Sequence, residues 1–237
     1  GIGLAAAKAP PFRLPGEHFA AGMIFLVLGG IGLVIIARDV AAGAYPLSAV
    51  VAVTHLFTLG WITMSIMGAL YQFLPVALGE PIRSVAAGHL AFALYAPGVA
   101  VFTAGLALDF SPLMLIGAAS LGTGLLIFIV NLGATLLRAT ARDLTWWALL
   151  GADLFLLVTL ILGLALAANR QWGVLAAARP VALGTHLHVA LFGWILLVIV
   201  GVVHRLLPVF LLSHGAGDRF ARAAVGLLAA GDAMLAV

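Results

Sequence analysis

No Asp, Glu, Lys or Arg occurs between Asp39 and Glu80, between Arg83 and Asp109, between Asp109 and Arg138, or between Arg179 and Arg205. Uncharged apolar runs of this length constrain the fold more than any other feature of the chain. A bilayer hydrocarbon core takes about 20 apolar residues as a helix, and these runs have that length. Composition agrees: 65% of the 237 residues are hydrophobic and 8% are charged, against roughly 25% charged in a soluble domain. The mean hydropathy is +1.25. The sequence therefore predicts an all-α fold, a polytopic membrane helix bundle forming a single transmembrane domain over 1–237. Seven transmembrane helices are predicted, at about 18–37, 47–78, 85–108, 112–137, 145–168, 181–212 and 220–237.

The second and sixth runs exceed one straight crossing. Each ends in Leu-Pro, Leu74-Pro75 and Leu207-Pro208, so a kinked or interfacial turn is expected there. The seventh run reaches Val237 with no polar flank and reads as an interrupted helix.

Charge supplies topology. Eleven Lys+Arg stand against eight Asp+Glu, a net charge of +3, and the basic residues sit between apolar runs. That pattern points to the lipid bilayer as partner and gives no case for nucleic acid. Lys8, Arg13, Arg83, Arg138, Arg142, Arg205, Arg219 and Arg222 fall on the side of the N-terminus, and Arg38, Arg170 and Arg179 on the other. The excess places the N-terminus in the cytoplasm, with the chain integral to a bacterial inner (plasma) membrane. Gly1 to Pro15 has no basic region followed by a short apolar core, so no cleavable signal peptide is read there. Cysteine is absent, which removes disulfides, iron–sulfur clusters, thiolate haem ligation and Cys-x-x-Cys-His attachment. Any metal has to be held by histidine, methionine, tyrosine or carboxylate.

Placing His188 over His55 also superposes Gly193 on Gly60, Trp194 on Trp61, Gly201 on Gly68, Leu207 on Leu74, Pro208 on Pro75 and Val209 on Val76. A four-span period makes this a parallel internal repeat, with repeat 1 at about 47–168 and a truncated repeat 2 at about 181–237. Spans two and six then face each other, with His55 and His188 each roughly 10–12 Å below the same interface.

Two histidines at equal depth on facing helices suit the clamping of a haem from both sides; the alternative is polar glue between helices. Thr185 shares a helical face with His188 and is a candidate orienter of its ring. His186 lies about 200° around the helix from His188, away from that site, and is a candidate ligand to a second metal centre. Asp153 and Asp232 within spans, with His204 and Tyr71 beside the Leu-Pro turns, suggest a proton path. His18 and His214 read as interfacial, Asn131 as helix glue, and Met64 and Met67 as packing. Trp146, Trp147 and Trp172 read as an interfacial belt.

The stretch Thr185-His186-Leu187-His188, with Leu191-Phe192-Gly193-Trp194, Gly201 and Leu207-Pro208, resembles the tenth helix of haem-copper oxidase subunit I of the cbb type and of nitric oxide reductase. His55 is similar to the second-helix histidine of that family. The resemblance implies a low-spin bis-histidine haem b held by His55 and His188, lined by Trp61 and Trp194, and a second, high-spin haem at His186. The chain also resembles NnrS-type membrane proteins in His55-x-x-Thr58-Leu59-Gly60 and Pro11-Phe12-Arg13. No His-x3-Tyr followed by a His-His pair occurs, so the usual copper ligands of the oxidases are not visible and oxidase chemistry does not carry over. Electron transfer or handling of a diatomic gas such as nitric oxide is expected, with redox partner subunits or a homo-oligomer. A haem A synthase-like enzyme, or a non-haem transporter or structural subunit, is the alternative.

Overall fold

The computed structural model describes residues 10–140, 142–211 and 219–235. It is a helical bundle of an integral membrane protein. Six helices are long and apolar enough to cross a bilayer: α1 (Arg13–Ile35), α2 (Ser48–Leu78), α3 (Val85–Ala107), α4 (Ser111–Arg138), α5 (Leu144–Trp172) and α6 (Ala176–Pro208). A further helix, α7 (Arg219–Leu235), has 17 residues, and its apolar part, Arg222–Gly231, falls short of a crossing.

Local chemistry sets the helix ends. Ser84 and Asp143 cap α3 and α5, their side-chain oxygens accepting from Ala87 N–H at 3.1 Å and Trp146 N–H at 3.0 Å, which satisfies donors the first turn leaves open. Gly79 and Gly173 close α2 and α5 in the left-handed conformation, φ 70° and 66°, where a side chain is penalised.

The first five helices lie against one another in chain order, and α6 packs on α5. The α3–α4 contact is the most extensive. Glycines allow it: a Cβ on Gly98 would stand 2.4 Å from Leu121 N, and one on Gly117 would stand 2.1 Å from Phe102 N. Exposed Met23, Ile24, Val27, Ile31 and Val34 give α1 an apolar outer face, suited to lipid. Arg13, Leu78, Val85, Arg138 and Leu144 share one end of the bundle, hereafter the basic end, and Arg205 joins them through Asp143 at 3.4 Å.

Pro75 and Pro208 lie within helices that continue to Leu78 and Phe210, and irregular backbone that the sequence did not signal lies further up α2 and α6, beside the histidines. Two expectations need correction. His18 is not interfacial but 0% exposed. Trp146 is also buried, its Nε1–H donating to Leu136 O at 2.7 Å, whereas Trp147 and Trp172 are exposed.

Candidate functional site

In α2 the α-helical segment Ser48–His55 gives way to a π-helical segment, Leu56–Thr63. In α6 the segment Arg179–His188 gives way to another, Val189–Leu196. Each π segment has eight residues and starts immediately after a histidine. Both end alike, with Met64 N–H donating to Leu59 O and Leu197 N–H to Phe192 O. The offset between them is that of the aligned sequences, since Leu59 pairs with Phe192 as His55 does with His188. π-Helix is rare, and where it occurs it is frequent at functional sites.

The helix preceding each π segment packs on it in the same way. A Cβ on Gly60 would meet Phe25 of α1 at 2.6 Å, and one on Gly193 would meet Phe155 of α5 at 2.5 Å. About two turns on, Gly68 faces Pro15 and His18 of α1, and Gly201 faces Thr145 and Ala148 of α5. Glycine is what lets each aromatic ring seat against the widened backbone.

The histidines are held by their own helices. His55 Nδ1–H donates to Val51 O at 2.8 Å and His188 Nδ1–H donates to Gly184 O at 2.8 Å. Thr185 is buried, and Gly184 O accepts from the His188 ring. In both rings the tautomer that donates from Nδ1 leaves a lone pair on Nε2. His55 packs edge-on against Phe102, with centroids 5.3 Å apart, and His188 lies 5.9 Å from Phe192.

His186 is not remote from the first site. Its Nδ1–H donates to Thr159 O of α5 at 3.2 Å, its ring occupies the space beside Gly163, and it lies within electrostatic reach of His55. Trp194, 2% exposed, joins the two π segments directly, its Nε1–H donating to Thr63 Oγ1 at 3.3 Å. Trp61 is half-buried, 6.5 Å from Phe57. Tyr95 of α3 donates its hydroxyl proton to Leu59 O at 3.2 Å, inside the first π segment.

Of the suggested proton path, Tyr71 and Asp153 are buried and each has an oxygen without a hydrogen bond. The structure does not link them. His204 is half-buried near the end of α6. The side chain of Asp232, like all of His214, lies outside the described residues. Sequence reasoning did not single out Glu17; with His18 and with His89, which reads from the sequence as part of a polar inner cluster, it lies near Tyr71 at the basic end. The signal available was the adjacent Glu17-His18 pair at the edge of the predicted first span. Among the described residues no group of three or more His, Asp or Glu is placed to hold a metal ion. No family model matches the chain, and neither does any curated protein or solved structure.

Proposed function

We propose that the chain is a haem b-binding protein of the bacterial inner membrane, related to haem-copper oxidase subunit I, which transfers electrons or handles a diatomic gas such as nitric oxide. One observation carries this reading. His55 and His188 stand at equivalent points before equivalent π segments, each with Nδ1 tied to its own helix and a lone pair on Nε2. A neutral imidazole oriented through one nitrogen and offering the other is the form that ligates iron. That form of both rings supports a bis-histidine haem. When bound, a haem would supply one-electron or gas-binding chemistry. The chain's part is to fix both rings, exclude water with Phe102, Trp61 and Trp194, and tie the two halves through Trp194 and Thr63. The matching seats of Gly60 on Phe25 and Gly193 on Phe155 support an internal repeat that begins at α1.

A second pairing has its own support. His186 is within electrostatic reach of His55, so a His55–His186 clamp is the competing assignment, with His188 on the other flank. A reduced-minus-oxidised spectrum of protein purified with haem supplied separates the two. A sharp haem b signal lost in His55→Ala and His188→Ala, but kept in His186→Ala, supports the first. Loss in His186→Ala with retention in His188→Ala supports the second, and a colourless wild-type protein refutes both. Redox partner subunits or a second copy would deliver and remove electrons. The basic end faces the cytoplasm in this proposal.

A further inference from the structure

Side chains from four helices converge at the basic end, apart from the π segments. Glu17 Oε1 of α1 and His89 Nδ1 of α3 are 2.7 Å apart, and they are the part of the group that reaches the surface, 17% and 34% exposed. Behind them His18 is 0% exposed, its ring centroid 5.3 Å from that of Tyr71 on α2 and 5.0 Å from that of Phe92 on α3. Its Nδ1–H donates to Leu14 O at 2.8 Å, and its Nε2 has no partner. Tyr71, 2% exposed, has an Oη without a partner. Asn131 of α4 lies beside it, close enough to act on the phenol electrostatically, but makes no hydrogen bond of acceptable geometry to it; its amide accepts from Ser84 N–H at 3.0 Å and donates to the Ser84 carbonyl at 2.9 Å. Glu17 is within electrostatic reach of both His18 and Tyr71, and His89 of His18.

The two unpartnered atoms are complementary, one a lone pair and the other a hydroxyl. Leaving a buried polar atom unsatisfied costs about 1–3 kcal/mol. A water that accepts from Tyr71 Oη–H and donates to His18 Nε2 removes both costs, and polar pairs of this kind are where buried waters sit. We propose that His18 and Tyr71 hold such a water and that, with Glu17 and His89 at its mouth, the group is a site of proton uptake onto His18. The proton enters at the Glu17–His89 pair and passes to the water. An O–H bond of the resulting hydronium breaks as an Nε2–H bond forms on His18. No electron moves, and Tyr71 keeps its proton. The site is confined to one half of the chain: where Gly68 packs on His18, Gly201 packs on Ala148, and His204 aligns with Tyr71. A feature present in only one half is not a by-product of the shared architecture.

The test is nuclear magnetic resonance of the full chain, labelled with 15N-histidine, in lipid nanodiscs. His18 is assigned by the signal missing in His18→Asn. The expected wild-type result is a neutral, Nδ1-protonated ring whose Nε2 is shifted by a hydrogen bond and receives magnetisation from water. That transfer should fall several-fold in Tyr71→Phe, which keeps the ring, and slow in Glu17→Leu. An Nε2 at the position of an unbonded nitrogen, or transfer unchanged in Tyr71→Phe, overturns the proposal. The wild-type measurement alone decides if a variant does not fold.

Discussion

The indole of Trp194 is the residue on which the two halves of the candidate haem site meet. Its bond to Thr63 crosses between π segments at 3.3 Å, and a net intramolecular hydrogen bond contributes about 1 kcal/mol. Trp194→Phe also removes packing, so the bond is isolated by a double-mutant cycle with Thr63→Val. A coupling of about 1 kcal/mol in detergent unfolding is expected; additive losses would mean the bond contributes nothing. At this scale the sequence was partly legible. His55, His188 and Trp194 stood out because rare side chains recurred at one offset in apolar surroundings. His18 did not, because Arg13 and Glu17 beside it suggest an interface, and no local pattern reveals that Tyr71 and Phe92 from other helices cover the ring. The 200° separation that sent His186 away from His188 was sound, but it could not reveal that α5 and His55 lie on the side to which it turns.

Among elements, the α3–α4 pair depends on backbone contact that alanine cannot keep. Gly98→Ala and Gly117→Ala place a methyl within 2.4 Å and 2.1 Å of backbone nitrogen. Each should destabilise by about 3 kcal/mol, the upper end of overpacking costs. Gly30 has nothing within 4 Å, and Gly30→Ala should be neutral or stabilise by up to about 1 kcal/mol. Equal effects at all three positions in unfolding titrations would contradict this packing. At the opposite end, Asp109 links α2 and α5, accepting from Ser48 at 2.8 Å and from Arg170 at 3.1 Å. The Ser48 and Arg170 hydrogen bonds hold its carboxyl below the ordinary 3.8. A depressed folded value means the stabilisation is present above 3.8 and lost as pH falls through the folded value. Asp109→Asn, which tolerates the same positive φ, should therefore unfold more readily than wild type at neutral pH. The gap should close in acid below 3.8. A gap independent of pH would assign the loss to something other than the charge. Helix positions were legible from uncharged runs and capping residues, but the π segments were not. They arise where a neighbouring Phe seats on Gly60 or Gly193, a tertiary event without a local signature, whereas the sequence pointed to proline as the source of irregularity.

For the whole molecule, the direction in which the bundle stands sets what the two proposed sites can do. Arg13, Arg83, Arg138, Arg142 and Arg205 gather at the basic end, against Arg38, Arg170 and Arg179 at the other. Short loops rich in Arg and Lys stay in the cytoplasm, while acidic residues count for little, so Glu17, Glu80 and Asp143 do not offset the bias. The native chain has no cysteine, which makes single introduced cysteines unambiguous reporters. Tyr45 and Trp172, exposed at the opposite end, and Phe12 and Thr140, exposed at the basic end, lie at or outside the helix termini and avoid the charged residues under test. In intact cells a membrane-impermeant maleimide should label Tyr45→Cys and Trp172→Cys strongly. Phe12→Cys and Thr140→Cys should stay at background until the membrane is opened. That result puts the Glu17–His89 mouth in the cytoplasm and the histidines before the π segments nearer the outer face, so protons taken up at one side and electrons exchanged near the other would move through opposite halves of the bundle. The reverse labelling pattern would leave both sites intact as chemistry but draw the protons from outside.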